Sequence, residues 1–268
     1  MLRLAGTGAT HPGLVRDHNE DSGFVGSDLV LVTDGVGGSA AGEVASATAA
    51  YALCATAMAR RDDDPTLVLT AGVHLAQQLL AQGVEQDPDR AGMATTLTAV
   101  LTNGERCALA HLGDSRGYVL RDGEFIRVTR DHTLVAGLVD DGRISEEEAR
   151  SHPWRNVVLR TVNADVLQPA DVLPLAVRPG DRLLIASDGL TDLVCEDRIG
   201  ELLSGHDDDA AVEVLVAEAL RAGGSDNITC VVVTVIDGPR VDSRGELLGA
   251  LFDPGNLVEA AARVEHTA

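Results

Sequence analysis

Residues 29–38 read LVLVTDGVGG. Leu29, Val30, Leu31 and Val32 form a short apolar run with β-branched members, the pattern of a strand buried on both faces. Thr33, Asp34 and Gly35 end the run, and Gly37 and Gly38 follow. Ser39 suits the N-cap of an alanine-rich helix predicted over residues 40–61. One carboxylate, Asp34, therefore stands at the mouth of a strand. The glycines after it have no side chain to block an approaching group, and they permit φ > 0.

The same arrangement recurs along the chain. LLIAS (183–187) runs into Asp188-Gly189, and ALAHLG (108–113) runs into Asp114-Ser115. Ser225-Asp226-Asn227 precedes a strand predicted over residues 228–236. The end of an antiparallel strand lies beside the start of its neighbour, so these acids can gather at one edge. Glu20 and Asp21, just ahead of a strand over residues 22–25, enlarge the group to six carboxylates. Any single Asp-Gly pair reads equally well as a turn. Six acids in one place need compensation, because like charges raise each other's pKa. Hard divalent cations with oxygen ligands, Mg²⁺ or Mn²⁺, provide it.

Composition narrows the classes. The chain has 268 residues, 45% of them hydrophobic, which is ample for a sizeable core. Net charge is −21, from 42 acids against 21 arginines and no lysine. That balance speaks against nucleic acid and against an anionic membrane surface as partners. Aromatics are 2%, so the core must be built from Leu, Val and Ala. The four cysteines, Cys54, Cys107, Cys195 and Cys230, are scattered without a C-x-x-C pair. They read as buried or isolated thiols in a reducing cytosol rather than a disulfide or zinc framework. The N-terminal residues are too polar for a signal peptide, and no run of about 18 apolar residues is evident, so no membrane span is expected.

Between these landmarks the chain alternates strands and helices. A first strand is predicted over residues 3–10, and a second helix over residues 66–86 after Asp62-Asp63-Asp64-Pro65. A meander follows, with strands over residues 97–101, 106–112, 118–120 and 125–128. Ser145 and Glu148 form a capping box. Residues 141–168 break the strand rhythm, either as a mobile excursion over the site or as an ordinary connection. Further strands are expected over residues 172–177 and 181–186, and a helix over residues 208–221 ending at Gly223-Gly224. Residues 237–268 differ in texture and are expected to form a peripheral tail. Arg16, a lone cation ahead of Glu20 and Asp21, is either a bidentate phosphate ligand or one half of a structural ion pair. His18 reads as a solvated loop residue. Ser115 has no histidine placed to make it a nucleophile.

Taken in order, GLVRDHNEDS (13–22), LVLVTDGVGG (29–38), GMATTLTAVL (92–101), AHLGDSRGYVLRDGEF (110–125), TRDHTLV (129–135), HPWRNVVLRTV (152–162), LLIASDGLTD (183–192) and GGSDNITCVVV (223–233) resemble the metal-dependent Ser/Thr protein phosphatases, the type 2C family, and its bacterial branch in particular. The resemblance implies an α+β fold, an α-β-β-α sandwich of two antiparallel sheets flanked by helices. It implies a catalytic domain over residues 1–236 with a flap at residues 141–168. It also implies two Mn²⁺ or Mg²⁺ ions with a third, weaker one. Asp34 would bridge the metals, and the Gly35 carbonyl, Asp188 and Asp226 would be further ligands. Glu20 and Asp21 would act partly through water, and Asp114 with Asp188 would hold the third ion. Arg16 would bind phosphate, and Asn227 would orient the ligands from behind.

The implied reaction is hydrolysis of phosphoserine or phosphothreonine by a hydroxide bridging two metals, with no covalent enzyme intermediate. Phosphorylated proteins, such as Ser/Thr kinases or regulators of transcription factors, would be the partners of a monomeric cytoplasmic enzyme. The alternative is a catalytically weak regulator that binds phosphoproteins. Val36 stands where eukaryotic members often carry His, and Met93 where the family often has Ser.

Overall fold

The computed structural model describes residues 1–36, 41–165, 167–241 and 245–258. Strands β1 (Leu2–His11), β2 (Asp21–Val25) and β3 (Leu29–Asp34) lead into helices α1 (Gly42–Ala59) and α2 (Pro65–Gln86). Then come β4 (Ala94–Thr95), β5 (Leu97–Thr102), β6 (Cys107–Leu112), β7 (Arg116–Arg121) and β8 (Glu124–Arg127). The next segment holds α3 (Leu134–Asp140), α4 (Glu146–Arg150) and β9 (Val162–Asn163). The chain continues through β10 (Asp171–Pro174), β11 (Arg182–Ala186), α5 (Asp188–Thr191), α6 (Glu196–Gly205), α7 (Asp208–Arg221), β12 (Ile228–Asp237) and β13 (Glu246–Gly249).

The strands assemble into a five-stranded sheet, β1-β12-β11-β7-β8, and a six-stranded sheet, β10-β6-β5-β3-β2-β13, with β4 and β9 forming a separate ribbon. All these pairings are antiparallel. The alternation of side chains sorts the core into layers. In β3, Leu29 and Leu31 pack with α1 and α2, whereas Val30 and Val32 face the other sheet. In β12, Cys230 and Val232 pack with α6 and α7, whereas Val231 and Val233 meet β3 and its neighbours between the sheets. Both faces of each sheet are thus covered, in the order helix, sheet, sheet, helix. This is why the central strands read as unbroken apolar runs instead of alternating ones.

Local signals set the helix ends. The Asp64 side chain accepts from the Thr66 N–H at 2.9 Å, and Pro65 occupies the first turn of α2. Ser145 and Glu148 close the expected capping box on α4. The described part of α1 begins after Ala41, whose φ is 80°; the expected Ser39 cap lies outside the described residues. By length and composition α2 could cross a membrane, but half of it is buried inside the molecule, as befits a core helix.

One expectation needs correction: residues 245–258, the described part of the chain after residue 241, do not form a peripheral tail. Beyond β12, β13 pairs with β2, placing Glu246 opposite Val25 and Gly249 opposite Ser22. Leu248 enters the core between the sheets, and Leu251 and Val258 join the core under α1. The physical reason is that β2 would otherwise be an open edge; β13 covers it and buries apolar side chains in the same step.

Leu248 therefore tests where the folded unit ends. Leu248→Ala should cost about 2–5 kcal/mol, the usual range for a buried leucine, in urea unfolding. A change within 0.5 kcal/mol, typical of surface positions, would return residues beyond 237 to the status of a tail.

Candidate active site

The two sheets bring their acids to the same end. Asp21 opens β2 and Asp34 closes β3, and the register places them directly opposite each other. Asp188 follows β11, Asp226 precedes β12, and Asp114 lies in the turn between β6 and β7, which carries the chain from one sheet to the other. Glycines make the close approaches possible. A Cβ at Gly189 would lie 2.0 Å from the Asn227 carbonyl oxygen, and one at Gly13 would lie 2.3 Å from that of Asp226. A Cβ at Gly42 would meet Glu20 Oε2 at 2.4 Å and the Gly35 carbonyl oxygen at 3.4 Å, so those two oxygens face one small space.

A shell of hydroxyls and amides holds the acids in place. The Asp34 N–H donates to Thr96 Oγ1 at 3.0 Å. The Asp34 carbonyl accepts from the Thr96 N–H and from Thr95 Oγ1, both at 2.8 Å. Ser187 Oγ donates to Asp21 Oδ2 at 2.8 Å and accepts from the Thr229 N–H at 2.9 Å. Asn227 Oδ1 accepts from the Glu20 N–H at 2.8 Å, while its Nδ2 donates to the carbonyls of Pro12 and His18 at 2.9 and 2.8 Å. Asn227 thus fastens the loop carrying Arg16 and Glu20. Arg16 Nη2 is paired with Asp226 Oδ2 at 2.8 Å on a half-exposed side chain. His18 is exposed, and Ser115 Oγ is buried against Thr96 Oγ1 at 2.7 Å.

The electrostatics are those of crowded, dehydrated carboxylates. Burial, then Asp21, Asp188 and Asp114, push Asp34 well above the ordinary aspartate range. Burial, then Asp114, Asp192 and Asp226, do the same to Asp188. Burial pushes Asp21 up to about 6 despite hydrogen bonds from Thr229 and Ser187. Asp114 is pushed up to about 7 by burial, Asp131 and Asp192, with Arg116 opposing. Glu20 is raised by burial and by Glu43 in the first turn of α1.

Two oxygens in this cluster, Asp21 Oδ1 and Asp188 Oδ1, are buried without a hydrogen-bond partner. Such atoms are costly unless something meets them. The donor set is all oxygen, which fits a hard divalent ion. No three His, Cys, Asp or Glu side chains among the described residues form a ready-made metal cage. An ion that keeps several of its own waters, as Mg²⁺ does, needs no such cage. All the acids singled out in the sequence lie at this end of the molecule. Thr95, Thr96 and Ser187, which hold Asp34 and Asp21, were not singled out; a Thr-Thr pair just ahead of β5 and a Ser before an Asp-Gly were the available signals.

Against this geometry the comparisons with known proteins agree. A profile described as protein phosphatase 2C matches residues 6–222. The chain belongs to that family. The Mycobacterium tuberculosis serine/threonine protein phosphatase PstP is 44% identical over 244 residues, 89% of this chain and 46% of its own length. This chain therefore spans about half of that relative. The Listeria welshimeri serine/threonine phosphatase stp is 34% identical over 84% of this chain and 93% of its own length. A crystal structure of the PstP catalytic domain in complex with two manganese ions superimposes with a TM-score of 0.78 at 41% identity, covering 88% of this chain and all of that one. The type 2C sandwich expected from the motifs is thus the fold observed.

The raised carboxyls of this type 2C site fix the sign of a pH effect. Aspartates titrate near 3.9 when unfolded, whereas in the fold burial and neighbouring acids hold Asp114 at about 7 and raise Asp34 and Asp188 well above that ordinary value. Between those values the native state holds more protons than the unfolded one, so stability falls as pH rises. In EDTA the melting temperature should drop from pH 5 to pH 8. Asp114→Asn should raise it at pH 8, by about 2–4 °C for each kcal/mol relieved, and flatten the slope. A metal-free protein that melts higher at pH 8 than at pH 5 would contradict this electrostatic account.

Proposed function

We propose that this chain is a metal-dependent protein Ser/Thr phosphatase that removes phosphate from phosphoserine and phosphothreonine in other proteins. The observation that carries the reading is the pair of partnerless oxygens, Asp21 Oδ1 and Asp188 Oδ1, buried among acids supplied by both sheets. Asp34, Asp188, Asp226 and the Gly35 carbonyl would hold two divalent ions, with Glu20 and Asp21 acting through water and Asp114 with Asp188 serving a third. When bound, such ions supply an activated water and neutralise charge on the phosphoryl oxygens.

The protein's own groups do the rest. Asp34 keeps a fixed direction because both polar groups of its backbone are tied to Thr96. Asn227 and Gly13 seat the loop that presents Arg16 beside Asp226. The Arg16 side chain is half exposed, and its planar fork can take a phosphate oxygen while Asp226 holds one corner. Phosphoryl transfer rests mainly on positioning and charge stabilisation, so a nucleophilic side chain is not required. The thiols of Cys54, Cys107 and Cys230 suit no such role, because burial pushes each of them up to about 12. Free cysteines at all four positions support a reducing, cytoplasmic setting.

Hydrolysis of p-nitrophenyl phosphate and of a phosphothreonine peptide should require Mn²⁺ or Mg²⁺ and stop in EDTA. Asp34→Asn and Asp188→Ala should each lower kcat by about 10²-fold or more, the cost of losing a principal charge-stabilising group. Arg16→Ala should lower kcat/KM by about 10-fold to 100-fold, as for a charge-assisted bond, with Arg16→Lys recovering part of it. A wild-type protein that binds Mn²⁺ yet hydrolyses neither substrate would reject the enzymatic reading.

A further inference from the structure

Asp114 hangs from a loop whose shape is imposed by a histidine on the next connection. Gly113, immediately before it, has φ of 107°, and a Cβ there would come within 2.6 Å of Thr96. Both backbone polar groups of Gly113 are taken by one residue, His132. The Gly113 N–H donates to His132 Nδ1 at 3.1 Å, and the Gly113 carbonyl accepts from the His132 N–H at 2.8 Å. Because Nδ1 is the acceptor, the proton of the neutral ring is on Nε2. That N–H points to Asp171 Oδ2 at 3.0 Å. Only 8% of the His132 side chain is exposed.

The same ring is braced from the flap. Arg160, on the return leg, donates through Nη2 to Asp171 Oδ1 at 2.8 Å and to the Pro169 carbonyl at 2.6 Å. Its Nη1 also approaches His132 Nε2, at 2.6 Å, and because a guanidinium only donates, that contact competes with the Nε2–H bond to Asp171. The His132 carbonyl accepts from the Leu159 N–H at 2.7 Å, and the Leu134 N–H donates to the Val157 carbonyl at 2.9 Å. The return leg of the flap is therefore paired, at Val157 and Leu159, with the backbone of residues 132–134. On the other side of Asp114, the Ser115 carbonyl accepts from Thr98 Oγ1 at 3.0 Å, and Ser115 Oγ meets the Thr96 hydroxyl that holds Asp34.

We propose that His132, oriented by Asp171 and Arg160, is a positioning residue that aims the Asp114 carboxylate at the outermost divalent ion and so ties that ion's affinity to the seating of the flap. The inference rests on the metal-dependent reading above. Groups that orient a ligand from behind typically contribute 10-fold to 100-fold in metal affinity. Asparagine can replace Nδ1 as acceptor for Gly113, whereas glutamine reaches toward the Nε2 position and leaves the Gly113 N–H without its partner.

The test is Mn²⁺ binding to metal-stripped protein, followed by calorimetry and by electron paramagnetic resonance of free Mn²⁺. Asp114→Ala identifies the weakest binding event by removing it. His132→Ala should weaken that event about 10-fold to 100-fold and leave the tighter ones within about threefold. His132→Asn should recover most of the loss and His132→Gln little; Arg160→Gln should fall between. Nitrogen NMR of the wild-type imidazole should show the Nε2–H tautomer. An unchanged weak event in His132→Ala, equal losses in the Asn and Gln variants, or an Nδ1–H tautomer would overturn the proposal. A wild type that binds no Mn²⁺ would instead reject the metal site itself, and the inference with it.

Discussion

Dehydrated like charge is the constraint on which this molecule is built. Asp21, Asp34, Asp114 and Asp188 are each held in the fold at a pKa above that of an exposed aspartate, and burial is the first cause in every case. A carboxylate in that position destabilises the fold unless its surroundings are fixed. The backbone of Asp34 is accordingly bound at both polar groups by Thr96, and Asp21 is met by Ser187. Thr96 immediately precedes β5 and Ser187 immediately follows β11, so the site is anchored at strand ends of both sheets. Rigid strands are what allow acids to be held together against their repulsion.

The same constraint explains the glycines. Acids from two sheets can share one end only if the turns that bear them touch through backbone. Gly189 against Asn227 and Gly13 against Asp226 are such contacts, and a methyl group at either would collide with a carbonyl oxygen. Asn227 then reaches from β12's entry to the residue 12–20 loop and binds three of its backbone groups. One side chain thus sets both the Glu20 backbone and the path of the chain around Arg16.

Much of this was legible in the sequence, and the misses have a common cause. Leu29 to Val32 announced a strand buried on both faces, because a sheet covered by helices on one side and a second sheet on the other leaves no polar face. The acids announced themselves by standing where apolar runs stop. What stayed hidden depended on distant partners. Thr96 is an ordinary residue at a strand entry until Asp34 lies beside it. Leu247 to Phe252 is only a weak apolar stretch until β2 offers an open edge. In α6, Ile199, Leu202 and Leu203 are buried at helical spacing, but over only 10 residues the period is too brief to stand out. Nothing in the sequence marks His132, whose bonds to Gly113 and Asp171 are visible only in three dimensions.

Charge accounting then decides what the site can accept. The chain has 42 acids and 21 arginines, and the buried or half-buried arginines described here are committed elsewhere. Arg116 and Arg127 share Asp131, Arg121 is bound to Asp181, Arg182 to Asp208, and Arg61 and Arg240 to Asp28. Arg16 is the guanidinium beside the cluster, and it is engaged with Asp226. Asp21, Asp34 and Asp188 are therefore left to protons or to a cation from solution. A guanidinium in that position would be permanent, since it does not lose its proton. Protons and divalent ions are exchangeable, and they compete: an ion that binds must displace the protons the raised carboxyls hold. The burial that destabilises the metal-free fold thus leaves at this end of the sandwich carboxylate oxygens for which protons and a divalent ion would compete.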